Sequence, residues 1–399
     1  MTRFLWLNWS GGGNLPPSLG IARVLTERGH AVTFAGRPEM VPRVEAAGFR
    51  AIELKTAYAQ VDRYPQGHPL TRAACYLTSP AVGHEVRSVV ASETPDVILV
   101  DAMFPAALLE APAFGRPTSL ILHTFLFRQL DMWRNVFSTF GGMREQAGFG
   151  NIPSVDDLWR RMDRIVCTAV ASFDASPAPG WEQVRHVGPV LEDEKVAISV
   201  ALPWRADDAT PLVLVSFSTG FEQRNLAKLQ RTLDAIAALP VHAVATTGGI
   251  VRPDELNAPA NVFVVSYAAH EPILARAAAV ITHGGHGTAM RALRRGLPMV
   301  LLPGLAADQP YIATQMQEWG VGRALAGDAD AGTIRLAIED VLSNLSYRRR
   351  ARQRATALAG LNGAAAAADE LEDLASARSV VPNMTVEHVA AAAARLTWG

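Results

Sequence analysis

Short apolar runs alternate with helical stretches along this chain, and after a charged, turn-rich break the alternation starts again. No other feature constrains the fold as strongly, because strand–helix–strand units build parallel sheets with right-handed crossovers. In the first half "RFLWLNW" reads as a strand and Ser18 to Arg28 as a helix ended by Gly29. "HAVTFAG", "DVILVDAMF" (96–104) and "TSLILHTFL" (118–126) are further strands. In the second half the strands are "PLVLVSFST" (211–219), "VHAVATTG" (241–248), "NVFVVSY" (261–267), "AAVITHGG" (278–285) and "PMVLLPG" (298–304). The break between "HVGPV" (186–190) and Pro211 holds "LEDEK" and "PWRADDATP". These runs predict an α/β chain of two doubly wound parallel sheets. The units are residues 1–200, 210–375 and a helical tail, 376–399. With 399 residues, each half is long enough for its own core. Ligands of open α/β sheets bind beyond the carboxyl ends of the strands, so the site is expected in the cleft between the two.

Between Pro65 and Pro80, and from Arg128 to Pro153, the periodicity loosens while Trp, Tyr, Phe and Met collect. Such stretches suit loops lining an apolar pocket, and equally a core. The chain is 49% hydrophobic and 19% charged, as in a soluble α/β enzyme. A net charge of -1 gives no global attraction to nucleic acid or anionic membrane. The basic run "SYRRRARQRA" (346–355) has no interleaved aromatics and reads as a solvated helix face. Cys75 and Cys167 stand far apart without a metal-binding pattern, which fits a reduced, cytoplasmic protein. "FLWLNW" is too short for a secretory segment, and no run reaches the ~18 apolar residues of a membrane span.

"SGGGNLPP" (10–17) follows the first strand, where a dinucleotide fingerprint would lie. Gly11 and Gly13 fit Gly-x-Gly-x-x-Gly, but Pro16 takes the third place and no acid follows the next strand. Bare backbone that lets a substrate approach fits this loop better. The stronger signal is "THGGHGT" (282–288), which turns on Gly284 and Gly285 into a helix. Free N–H groups at such a helix start suit a phosphate, and His283, His286 and Thr288 add side-chain donors. Asp308 and Gln309, expected in a loop after a strand, suit sugar hydroxyls. The Asp-x-Asp of "DAD" (328–330) reads as a solvated turn.

From "SFSTG" (216–220) through "VSYAAHEPILARAAAVITHGGHGTAMRALRRGLPMVLLPGLAADQP" to "GVGRAL", the chain resembles the nucleotide-sugar-dependent glycosyltransferases of the GT-B fold. The likeness is greatest to the bacterial group that decorates natural products. "RGHAVTFA" and "VGP" extend it over essentially the whole chain. It implies two Rossmann-like domains facing across a cleft, the first binding acceptor and the second the nucleotide sugar. Tyr267 and Ala268 would lie against the nucleobase. Ser218, Thr219, His283, Gly284, Gly285, His286, Gly287 and Thr288 would hold the diphosphate, and Asp308 and Gln309 the sugar. The implied donor is a UDP- or dTDP-sugar, with no metal or other cofactor. The acceptor would be a hydrophobic small molecule, and the chain a monomer or homodimer.

Two positions depart from the family. Its first loop usually reads Gly-His-x-x-Pro, the His being the base that deprotonates the acceptor; here that position is Asn14. A carboxamide cannot take a proton near neutral pH. Asp101, matching the Asp that partners the His, or His123 at the end of another strand, stands in as base, or else the acceptor is acidic enough to need little help. Arg291 takes a place more often held by Glu, whose carboxylate would accept ribose hydroxyls. The expected activity is inverting, metal-independent glycosyl transfer, the alternative being a degenerate GT-B protein that binds nucleotide sugar or aglycone without transfer.

Overall fold

The computed structural model describes residues 1–9, 12–55, 77–177, 179–191, 200–205, 207–217, 224–304, 306 and 308–377. The first sheet contains β1 (Arg3–Asn8), β2 (Ala31–Gly36), β3 (Arg50–Glu53), β4 (Val97–Asp101), β5 (Thr118–Leu122), β6 (Arg164–Cys167) and β7 (Val184–His186). All pairs are parallel, in the order β3-β2-β1-β4-β5-β6-β7. The second contains β8 (Leu212–Ser216), β9 (His242–Thr246), β10 (Val262–Val265), β11 (Ala277–Thr282), β12 (Met299–Leu301) and β13 (Gly322–Ala324), ordered β10-β9-β8-β11-β12-β13 and again parallel. The central strands are apolar throughout because helices cover both faces, as "LWL" in β1 and "VILV" in β4 show. Each sheet reverses its winding once, between β1 and β4 and between β8 and β11. The crevices opened at these two points are where ligands of such sheets bind.

The stretch expected as pocket-lining loops after Arg128 is instead the helix Leu130–Gln146. It buries Met132, Trp133 and Phe137, and both aromatic rings pack on Trp159 at 5.4 and 5.7 Å between centroids. These aromatics are core. Residues 56–76, with Cys75, and the Ala-rich run from Val386 lie outside the described residues.

Packing assigns the final described helix, Gly363–Ala377, to the first sheet, whereas a boundary at 375 groups it with the second. Ala364, Ala367, Ala368, Leu371 and Leu374 join the core built by Leu15, Leu19 and Ile21 of the helix Leu15–Glu27. Arg28 reaches Asp369 and Glu372 at 2.7 and 2.6 Å, His30 meets Glu372 at 2.7 Å, and Arg164 pairs with Glu370. A small-residue stripe lets the helix lie close, and sequence order does not reveal that partner. The chain therefore passes between the sheets twice. The passages touch where Gly363 abuts the Gly188 and Pro189 carbonyls, so closely that a Cβ at 363 would clash with both. Leu371→Ala is expected to destabilise the chain by about 2–5 kcal/mol, the usual cost of truncating a buried leucine, as read by urea unfolding.

No helix among the described residues is long and apolar enough to cross a membrane. The basic run forms the helix Leu345–Ala355, and Asp330 of "DAD" caps the helix Ala331–Ser343 by accepting from Thr333 N.

Candidate active site

At the crevice of the first sheet, β1 leads into the helix Leu15–Glu27, whose preceding residue is Asn14, and β4 ends on Asp101. Asn14 Nδ2 donates to Asp101 Oδ2 at 2.7 Å, and Met103 N donates to Oδ1 at 2.8 Å. Asp101 is only 2% exposed. Burial lifts its carboxyl to about 6, although both hydrogen bonds pull it back down.

Ser18 joins this pair to β5. Its hydroxyl donates to the Asn14 carbonyl at 2.8 Å, accepts from Asn8 Nδ2 at 3.2 Å and lies 3.1 Å from His123 Nε2. With the hydroxyl proton spent on Asn14, His123 donates through Nε2, and Nδ1 keeps a lone pair that has no partner. His123 Nε2 stands 3.9 Å from Asp101 Oδ2. Burial drives this imidazole down to about 3, helped by nearby His286, so it is a weak base at neutral pH. The structure thus brings Asn14, Asp101 and His123 together, with Asp101 the better proton acceptor.

At the second crevice, β11 ends at Thr282 and the helix His286–Arg294 begins after Gly284 and Gly285. The amide groups of His286, Gly287 and Thr288 open this helix, so their N–H bonds have no intrahelical acceptor. Gly284 has φ +84°, and a Cβ there would sit 3.1 Å from the Gln309 carbonyl. Gly284→Ala is therefore expected to destabilise by roughly 1–2 kcal/mol, read by urea unfolding. His283 bonds to the Ser216 backbone across the crevice, and burial keeps its ring neutral, at about 4.

His286, expected at the diphosphate, turns its ring elsewhere. A helical side chain points back toward the N-terminus, and here that direction leads across the cleft to Phe125, 5.1 Å away and edge-on. Burial also holds this ring near 4, with Asp174 opposing the shift. Ser218 and Thr219 lie outside the described residues. Asp308 and Gln309 open the helix Asp308–Glu318 rather than sitting in a loop. Burial raises Asp308 to about 6. Gln309 Oε1 accepts from Gly304 N at 2.7 Å, so its oxygen braces the turn after β12. Tyr267 is 56% exposed over the Gly249 backbone, with half-buried Ala268 beside it. Arg291 lies near Gly287 and within electrostatic reach of His270.

Composition did not reveal a third cluster. Cys167, Asp174 and His186 offer ligand atoms within 4.8 Å of one another. Asp174, however, already accepts from the amides of Leu126, Phe127, Arg128 and Ala175 and from His186 Nε2. The Cys167 thiol donates to the Thr124 carbonyl, and burial pushes its pKa up. That donor set fastens the loop after β5 and leaves the carboxylate no capacity for a metal.

Two parallel sheets, each presenting a polar cluster at its switch point, form a GT-B architecture. Residues 230–374 match the family described as erythromycin biosynthesis protein CIII-like, C-terminal domain. The chain is similar to the oleandomycin glycosyltransferase of Streptomyces antibioticus, 27% identical over 382 residues, covering 90% of this chain and 88% of that one. It is also similar to the vancomycin aglycone glucosyltransferase of Amycolatopsis orientalis, 34% identical over 263 residues, covering 61% and 59%. The crystal structure of CalG4, the calicheamicin glycosyltransferase, superposes with a TM-score of 0.74 at 25% identity, covering 96% of this chain and 100% of that one. The chain is a glycosyltransferase with a GT-B fold, similar to enzymes named for antibiotic glycosylation, and its residues 230–374 match the EryCIII-like C-terminal domain.

Proposed function

We propose that the protein transfers a hexosyl unit, with inversion and without a metal, from a UDP- or dTDP-sugar to a hydrophobic natural-product acceptor. The observation that carries this reading is the 2.7 Å bond from Asn14 to Asp101 at one crevice, opposite the glycine turn and helix start at the other. Asp101 takes the acceptor proton, directly or through a water. The freed oxygen attacks the anomeric carbon as the bond to the diphosphate breaks, and the electron pair leaves on the diphosphate. A single displacement of this kind inverts the centre. Asn14 holds Asp101 through Nδ2, and its exposed portion orients the acceptor.

The leaving diphosphate gains negative charge, which the helix start at His286–Thr288 and the His283 ring stabilise in the role a divalent cation plays elsewhere. Tyr267 and Ala268 support the nucleobase, and Asp308 with the Gln309 amide supports the sugar. The reading is tested with UDP-glucose and dTDP-glucose against a panel of phenolic and polyketide alcohols in excess chelator. Nucleoside diphosphate release and an inverted product by NMR are expected. Transfer that stops in chelator, or a retained anomeric configuration, overturns it. So does nucleotide binding without release across the panel.

A further inference from the structure

Lys228 sits in the first turn of the helix Leu226–Ala237, whose cap, Asn225, accepts from Lys228 N at 2.8 Å. The residue is only 6% exposed. Its Nζ donates to the carbonyls of Leu302 and Pro303 at 3.1 and 2.7 Å, at the end of β12. Among the described residues no carboxylate comes within ion-pairing distance of it. Burial lowers its pKa and Arg231 adds to that, with only Asp328 opposing. A covered cation without a counter-ion is costly, and that cost falls when an anion arrives.

The space beside it shows what would arrive. A cavity of about 30 Å³ is lined by Lys228, Asn225, Thr246, Thr247, His283 and Gly304 together with four apolar residues. The Thr247 hydroxyl is buried, with the residue 4% exposed, and has no hydrogen-bond partner. The polar residues contribute an ammonium, a carboxamide, two hydroxyls and an imidazole but no carboxylate, and the volume suits a single oxygen atom. His283 places the cavity at the same crevice as the glycine turn.

We infer that Lys228 is the fixed counter-ion of the donor's diphosphate, its ammonium meeting a phosphate oxygen that also accepts from the Thr247 hydroxyl. The inference rests on the donor-site reading and adds a permanent positive charge to a site otherwise built from helix amides and an imidazole that is neutral until an anion binds. Such a charge is worth most as the bond to the sugar breaks and the diphosphate becomes more anionic.

The test is calorimetric binding of UDP, dTDP and the corresponding monophosphates to wild type, Lys228→Met, Lys228→Arg and Thr247→Val. Lys228→Met is expected to weaken the diphosphate by about tenfold or more, consistent with a lost charge-assisted hydrogen bond, and the monophosphate much less. Lys228→Arg should retain most of the affinity, and Thr247→Val should show a smaller selective loss. Diphosphate affinity unchanged in Lys228→Met overturns the inference. Equal losses for diphosphate and monophosphate also overturn it, since they indicate that the lysine only props the end of β12. Wild-type protein that binds neither UDP nor dTDP overturns the donor-site reading itself.

Discussion

Replacing Asp101 by asparagine is expected to cut kcat by roughly 10²–10⁴, the range a positioned general base supplies. The substitution preserves shape, and its amide oxygen can still accept from Asn14 Nδ2 or Met103 N, so lost turnover would report lost basicity. With burial lifting the carboxyl to about 6, wild-type kcat should fall as pH drops through that value and level off above it. The variant should lack this limb. Stability moves the other way. A carboxyl whose pKa is raised by folding binds its proton more tightly in the folded state, so its contribution is lost as pH rises from the unfolded value of about 4 toward 6. Asp101→Asn removes that ionisation and should melt no lower than wild type at neutral pH. A variant that stays folded and active would remove Asp101 from the reaction and turn attention to His123.

His283→Ala is expected to lower kcat/KM by roughly 10²–10³, the cost of losing one hydrogen-bonding group at a developing oxyanion. The neutral ring carries a single N–H, and that proton is spent on the Ser216 backbone. A phosphate oxygen can then be bonded only when the ring takes a second proton, which an adjacent anion favours. Donor affinity should therefore strengthen as pH falls, opposite in sign to the kcat limb set by Asp101. Calorimetry in buffers of different ionisation enthalpy should detect proton uptake with UDP or dTDP. In His283→Ala the uptake should vanish. His286→Ala provides the contrast, because its ring packs on Phe125 and should affect the diphosphate far less. Equal losses of nucleotide affinity in the two variants would reject this division of roles.

Both polar clusters were legible in the sequence because strand ends and glycine turns are local features. "LVDAMF" places Asp101 at a strand's carboxyl end, and "THGGHGT" announces a helix start. Less was legible where packing decides. Met132, Trp133 and Phe137 face one core from a helix whose remaining surface is polar, and the mixed pattern read as a loop. β3, β6, β7 and β13 are three or four residues long, and an arginine breaks the apolar run in each, unlike equally short β10 and β12. The direction of the His286 ring depends on Phe125, which lies 161 positions earlier in the chain. Lys228 gave no signal because a lysine near a helix start reads as solvated until the carbonyls of Leu302 and Pro303 are seen above it.

The contact of Gly363 with Gly188 and Pro189 also bears on how the cleft works. Two separate tethers would let one sheet slide, twist or pull away from the other. Tethers pressed together at one point act as a common pivot, suppressing sliding while leaving rotation free. Asn14 and Asp101 on one side, and the glycine turn on the other, would then approach and part along an arc. Closure about that pivot would bring the acceptor oxygen toward the donor sugar without sliding one crevice past the other.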